Sequence, residues 1–180
     1  MQSLFYGIPL TFNFQHVFPV KVKTGEASSD SQFFANLRGI LEFEGEEFGT
    51  DDCESCWFLL GDETCGSLEN LLEKGKRYNC GLYAPAGSFS YSGEIVDLGK
   101  AYYYVAAASI AGRILYGDLR SFVSFDYDWT PGEETDLGLS VHWGSKNIGA
   151  TNQYDDGAYL AWGESEVKKS YDVNTYKWWQ

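Results

Sequence analysis

The sequence predicts a mainly β protein: an antiparallel β-sandwich carrying one short helix, followed by a further β-rich segment at the C-terminal end. Three observations carry that expectation. Short apolar runs rich in aromatic and β-branched residues recur at intervals of about ten residues, with polar or glycine-containing turns between them, as in sandwich strands. Several of these runs alternate apolar and polar residues, the period of a half-buried strand. A single stretch, Ser67 to Lys74, combines helical spacing with capping residues.

The elements follow in chain order. Residues 4–23 (LFYGIPLTFNF, then VFPVKV) read as extended. Pro9 and Pro19 belong at strand ends or edges there, since proline cannot donate to a ladder. Lys23 to Ser31 is small and polar, a turn. QFFANLRGILEFEGEEF sets Phe34, Asn36 and Arg38 against Ala35 and Leu37, then Ile40, Glu42 and Glu44 against Leu41 and Phe43. This is a half-buried strand, with Gly39 expected as a bulge. Gly45 to Asp52 is an acidic turn, and CWFLLGD from Cys56 is a short buried strand. In the helix Ser67 is the cap, Leu68, Leu71 and Leu72 share a face, and Gly75 ends it. Gly87 to Val96 is another strand; Tyr102 to Ile110 and Ile114 to Phe125 form a hairpin around Ala111-Gly112-Arg113. Residues 126–135 (DYDWTPGEET) read as a linker with a Pro131-Gly132 turn.

The totals restrict function. Thirteen Lys and Arg face 26 Asp and Glu, a formal charge of −13, which repels phosphate backbones and disfavours nucleic-acid binding. No apolar run approaches the roughly 20 residues of a membrane span, and the N-terminus lacks the basic start and continuous apolar middle of a secretory signal. Cys53, Cys56, Cys65 and Cys80 are an even, clustered set, compatible with disulfides, free thiols or, least well, a metal site, because the second close pair a zinc site needs is split.

Catalytic motifs are missing. His16 and His142 lie in different segments with no triad pattern, and no nucleophile elbow, P-loop or dinucleotide fingerprint occurs. The acidic pairs Asp155–Asp156, Glu164–Glu166 and Glu133–Glu134 read as solvated loop charges rather than a paired-carboxylate hydrolase. Asp51, Asp52 and Glu54 do not follow a calcium-loop pattern. No cofactor, no catalytic residue and no metal ligand is expected.

Aromatic side chains remain. Four of the six tryptophans lie between Asp136 and Trp179. Trp143 and Trp162 sit in alternating runs and read as core anchors. Trp178 and Trp179 are adjacent, so in a strand only one of them faces a single core. Tyr159, Trp178 and Trp179, with Asp155 and Asp156, are the candidate ligand-binding residues, because ring faces stack on sugars while carboxylates bond hydroxyls.

Two family resemblances stand on these residues. VKTGEASSDSQFFANLRGILEF, the C-W-F strand and GSFSYSGEIVDLGKAYYYVAAASIAGRILYGDLRSF resemble the fibronectin type III-like modules of gut-bacterial surface proteins, over about Val22 to Phe125. The turn between Leu98 and Tyr102 is shorter than in those modules, which leaves open which tyrosine makes the corner hydrogen bond. The insert carrying Cys65, the helix and Cys80 is longer. DLGLSVHW, N-I-G-A, Y-D-D-G-A-Y-x-A-W-G-E and T-Y-K-W resemble the start of the bacterial major paralogous domain, related to C-type lectins, with Gly149, Gly157, Trp162, Gly163, Glu164 and Tyr176 in register with Trp143. The rest of such a domain is not in the sequence.

The resemblances imply an immunoglobulin/fibronectin-like sandwich plus a partial lectin-like segment, divided as residues 1–21 (extended), 22–125 (sandwich), 126–135 (linker) and 136–180 (lectin-like). The implied role is non-catalytic adhesion or glycan recognition at a bacterial surface or outside the cell. The implied partners are glycans or another surface protein, with self-association through the termini. A structural spacer that donates a strand to a neighbour is the alternative.

Overall fold

The computed structural model describes residues 18–83, 87–130 and 132–179; the readings made for residues 4–17, including Pro9 and His16, and for Pro131 fall outside them. The architecture is an antiparallel β-sandwich with one α-helix, the expected fold class. Its elements are β1 (Val20–Thr24), β2 (Ser28–Ser29), β3 (Phe34–Phe43), β4 (Cys53–Gly61), α1 (Leu68–Lys74), β5 (Lys76–Cys80), β6 (Leu82–Tyr83), β7 (Ser88–Glu94), β8 (Ala101–Ile110), β9 (Arg113–Tyr116), β10 (Arg120–Val123), β11 (Glu134–Thr135) and β12 (Trp143–Gly144). The first sheet runs β1-β3-β7-β6 with β2 also on β3; the second runs β10-β8-β4-β5 with β9 also on β8.

The first sheet buries one face. In β3 the alternation holds throughout: Ala35, Leu37 and Leu41 are buried, while Arg38 and Ile40 point outward. Gly39 is not a bulge. It pairs in regular register with Thr24 and Phe89, and a Cβ there would lie 2.4 Å from the Phe89 ring. The glycine is there because the buried Phe89 ring lies across the strand at that point.

The second sheet buries both faces, and this governs the packing. Cys56 to Leu60 of β4 and Tyr104 to Ala108 of β8 are buried without a break. By strand alternation, Cys56, Phe58, Leu60, Tyr104, Ala106 and Ala108 join the inter-sheet core with Val20, Leu37 and Phe89. Trp57, Leu59, Val105 and Ala107 face the other way and pack against Leu71 and Cys65. The insert between β4 and β5 therefore lies over the outer face of the sheet. Ser67 caps α1 as expected, accepting from the Asn70 N–H at 3.2 Å. Of the three leucines assigned to one helix face, Leu71 is fully buried and Leu68 partly, but Leu72 is 46% exposed. A helix of two turns presents too narrow a stripe to bury all three. Gly61 allows close approach: a Cβ there would meet Cys65 Sγ at 2.4 Å.

The hairpin forms where expected, with Ala111 and Gly112 both at positive φ (49° and 71°), the backbone of a tight two-residue turn. The strand anticipated over Ile114 to Phe125 is interrupted. Tyr116 pairs with Ala107 but Arg120 pairs with Tyr104, so β9 and β10 share one edge of β8 out of register. In the gap, Thr24 Oγ1 from the first sheet accepts from the Ala106 N–H at 3.1 Å. Nearby, the Tyr104 hydroxyl donates to the Gly25 carbonyl at 2.7 Å. These two bonds tie the sheets together through buried polar groups. The Tyr102 hydroxyl accepts from the Asp97 N–H five residues upstream at 2.8 Å.

The helix cover generates a paired test. Leu71→Ala is expected to lower the unfolding free energy by about 2–4 kcal/mol, and Leu72→Ala to change it by no more than about 0.5 kcal/mol. Urea unfolding followed by circular dichroism measures both, and equal losses would contradict the packing described.

Candidate functional site

The segment after the sandwich is built from turns rather than from a core. β11 and β12 pair through Glu134–Gly144 and Thr135–Trp143, and Asp128 bridges Gly149, so residues 126–135, expected as a linker, pair with the segment that follows. Gly149, Gly157 and Gly163 all adopt positive φ, between 74° and 77°, where a side chain is strained. At Gly157 a Cβ would also lie 2.4 Å from the Ile148 carbonyl, which accepts from Ala158. After the turn at Gly163, the Gly163 carbonyl accepts from the Trp178 indole and the Trp162 carbonyl from the Tyr176 hydroxyl, each at 3.1 Å.

Carboxylates hold this frame together. Glu164 is ion-paired with Lys168 and accepts from the Lys177 N–H at 2.7 Å. Asp128 meets Lys146 Nζ at 2.6 Å and accepts from Thr130. Hydrogen bonds from Lys146 and Thr130 hold the Asp128 carboxyl far below its ordinary range; Lys168, Thr151 and the Asn174 N–H do the same, less strongly, for Glu164, Asp155 and Asp172. Glu134 pairs with His142 at 2.9 Å. Among the described residues no group of three or more His, Cys, Asp or Glu is placed to hold a metal ion.

Two clefts open against this frame. The first, about 550 Å³, lies between sandwich and segment, and Tyr159, Asp155 and Asp156 line it with Gln32, Tyr127 and Thr151. The second, about 600 Å³, is lined by Trp162, Tyr171, Tyr176 and Trp179 together with Lys168 and Asp172. Tyr171 lies between them: its hydroxyl donates to the Tyr159 carbonyl and accepts from the Lys168 N–H. Of the five residues expected at a binding site, three share the first cleft and Trp179 lines the second. Trp178 lines neither; its indole is bound to Gly163, and Lys177 Nζ lies 5.0 Å from its ring centre. Sequence reasoning missed Gln32 and Tyr127, which reach the cleft from other parts of the chain, and Tyr171, whose only signal was aromatic character.

The expected burial of the tryptophans is corrected. Trp143 is 54% exposed and Trp162 88% exposed, neither a core anchor. Trp178 and Trp179 are both exposed and lie in turns, so the two-faced strand argument does not apply to them. The physical reason is that β11 and β12 have two residues each and, among the described residues, form a two-stranded sheet of their own. Ala150 is the only hydrophobic residue of the described segment to reach full burial.

The cysteines are present as thiols. Cys53, Cys56 and Cys80 meet at one end of β4 and β5 beside the inter-sheet core, whereas Cys65 lies on the opposite face of that sheet beneath α1. Four cysteines in this arrangement do not form two disulfides without passing through the sheet.

No known protein family and no curated protein matches the chain. Among solved structures, the sensor domain of the anti-sigma factor RsgI4 from Pseudobacteroides cellulosolvens aligns with 14% identity and a TM-score of 0.43, over 59% of this chain and 95% of that one. The multi-modular cell-surface chitinase ChiW from a Paenibacillus species aligns with 12% identity and a TM-score of 0.36, over 67% of this chain but 9% of its own. Among the described residues no helix is long and apolar enough to cross a membrane.

The carboxylate frame predicts an acid-sensitive segment. A carboxyl with a depressed pKa stabilises the fold above its unfolded value, and that contribution is lost as pH falls through the folded one. Asp128, Asp155, Glu164 and Asp172 all titrate in this sense. Acidification below about pH 4 is therefore expected to shift tryptophan emission before the far-ultraviolet β signal is lost. A single coincident transition would show that the two parts do not separate.

Proposed function

We propose that the chain is a non-catalytic recognition module of a bacterial surface or secreted protein, in which the sandwich is a rigid carrier and the aromatic segment binds glycans. The carrying observation is the exposure of Tyr154, Tyr159, Trp162, Trp178 and Trp179, each at least 59% accessible, on a segment braced by polar bonds. Ring faces of this kind stack on the apolar faces of pyranose rings with little loss of side-chain entropy. The first cleft adds what orients a sugar: Tyr127 and Tyr159 for stacking, the Asp155 and Asp156 carboxylates and the Gln32 amide for hydroxyls. Tyr159 is 67% exposed, so its ring is available. The resemblance of the front of the chain to fibronectin-like surface modules, and of the rest to a lectin-related domain, supports the same reading.

A second reading has its own observation. Leu137, Leu139, Val141, Trp143 and Ile148 are all more than half exposed and fall close together in the sequence. Apolar side chains grouped on one segment are a feature of surfaces that dock another protein. In that reading the segment is an assembly element.

Titration with a panel of neutral and acidic oligosaccharides, read by tryptophan fluorescence, tests the first reading. Tyr159→Ala and Trp179→Ala are each expected to weaken binding about tenfold, with the sandwich fold unchanged. A glycan array without hits at high ligand density would sink it. Light scattering tests the second: a concentration-dependent oligomer that Leu139→Glu dissolves would favour assembly.

A further inference from the structure

The three grouped thiols owe their arrangement to a single extra residue. Cys53 pairs with Ile110 and Ser55 with Ser109, so β4 carries one residue more than β8 between those pairs, and Glu54 is that residue. In an uninterrupted strand, residues three apart point to opposite faces. The bulge reverses that parity and returns Cys53 to the face of Cys56, leaving the two sulfurs 3.2 Å apart. Cys80 of β5 stands directly opposite Cys56. Opposed residues of antiparallel strands have Cα atoms about 4.5–5.5 Å apart, within the span of a disulfide. Cys56 is 2% exposed and lies between the other two, which are partly accessible.

We propose that Cys53, Cys56 and Cys80 form a thiol-exchange triad in which buried Cys56 is the shared partner: a small-molecule disulfide oxidises Cys53 and Cys56 to one bond, and Cys80 is the alternative partner for Cys56. The Cys53 thiol loses its proton to solvent and attacks one sulfur of the oxidant R–S–S–R. That S–S bond breaks, and one RS⁻ leaves and is protonated. Cys56 then loses its proton and attacks the Cys53 sulfur, the mixed S–S bond breaks, and the second RSH departs. Two protein thiols are oxidised and one external disulfide is reduced to two thiols. Attack of the Cys80 thiolate on the Cys56 sulfur moves the bond to Cys56–Cys80 and releases Cys53, with no net oxidation.

The bond has a structural consequence. The Glu54 carboxylate accepts from Ser109 Oγ at 2.6 Å and from the Gly112 N–H at 2.9 Å, so the bulge anchors the β8–β9 turn. A Cys53–Cys56 bond closes the bulge covalently; a Cys56–Cys80 bond instead ties β4 to β5. Burial pushes the Cys80 thiol up to about 11 and Cys56 higher still, so both stay protonated at neutral pH and their attack on a disulfide speeds up as pH rises. Cys65, on the other face of the sheet, takes no part.

The test incubates the whole chain with oxidised glutathione at about pH 8, alkylates the remaining thiols and maps the peptides by mass. The expected product has Cys53 and Cys56 linked within one peptide, with Cys80 and Cys65 alkylated. In Cys53→Ser the link moves to Cys56–Cys80. In Cys56→Ala no internal link forms and glutathione stays on Cys53 or Cys80. A link through Cys65 in the wild type, no internal link in the wild type or in Cys53→Ser, or a Cys53–Cys80 link in Cys56→Ala would each overturn the proposal. The wild type and Cys53→Ser suffice should removal of the buried Cys56 side chain unfold the protein.

Discussion

The double-sided burial of the second sheet is the constraint on which the rest of the structure depends. β4 and β8 each carry five consecutive buried residues, so neither face of their pairing tolerates water. The first sheet covers one face. On the other, no third sheet lies among the described residues, and the insert between β4 and β5 covers it. Burying side chains such as Trp57, Leu59 and Leu71 is worth roughly 2–3 kcal/mol apiece, enough to hold a two-turn helix that would not persist alone. Arg77 completes the cover at the rim, its guanidinium 3.8 Å from the centre of the Trp57 ring. The same partition separates Cys65 from the other cysteines.

The sheets are held in register by polar groups placed where the ladder fails. The break between β9 and β10 would leave the Ala106 N–H unpaired, and a buried unpaired donor costs about 1–3 kcal/mol. Thr24, 3% exposed, supplies the acceptor from the opposite sheet. Gly117 makes room, since a Cβ there would lie 2.6 Å from Thr24 Oγ1. Tyr104 spans the same gap to Gly25. Loss of ladder continuity and the cross-sheet clamp are thus one feature seen from two sides.

What was legible in the sequence was what depends on local period. The alternation of β3, the unbroken apolar run of β4, the Ser67 cap and the Ala111-Gly112 turn all express spacing that backbone geometry fixes. What was not legible depends on a partner distant in sequence. Gly39 resembled a bulge until Phe89 appeared opposite it, and the real bulge at Glu54 carries no glycine and no break in polarity. Its trace was the spacing of Cys53 and Cys56: an odd interval in a strand puts two like residues on opposite faces unless something intervenes. In the first cleft, Tyr159, Asp155 and Asp156 meet as near neighbours in sequence. Gln32 and Tyr127 are brought to them only by the fold.

The exposure of the tryptophans shows how the segment works. Alternation implies burial only where a second layer exists to receive the buried face, and here β12 is two residues long. The order of the segment comes instead from glycines at positive φ and from carboxylates that receive N–H groups and lysines. Such a frame fixes the backbone without consuming the aromatic faces. Trp162 illustrates this: its carbonyl accepts from Tyr176 while its ring remains 88% exposed. A hydrophobic core would have had to bury that ring to hold the same turn. Polar bracing and aromatic exposure are therefore linked, because the first makes the second compatible with a defined structure. The arrangement leaves Tyr159, Trp162 and Trp179 largely exposed on a backbone already ordered by polar bonds, and a preordered surface is the kind that binds a partner at low entropic cost.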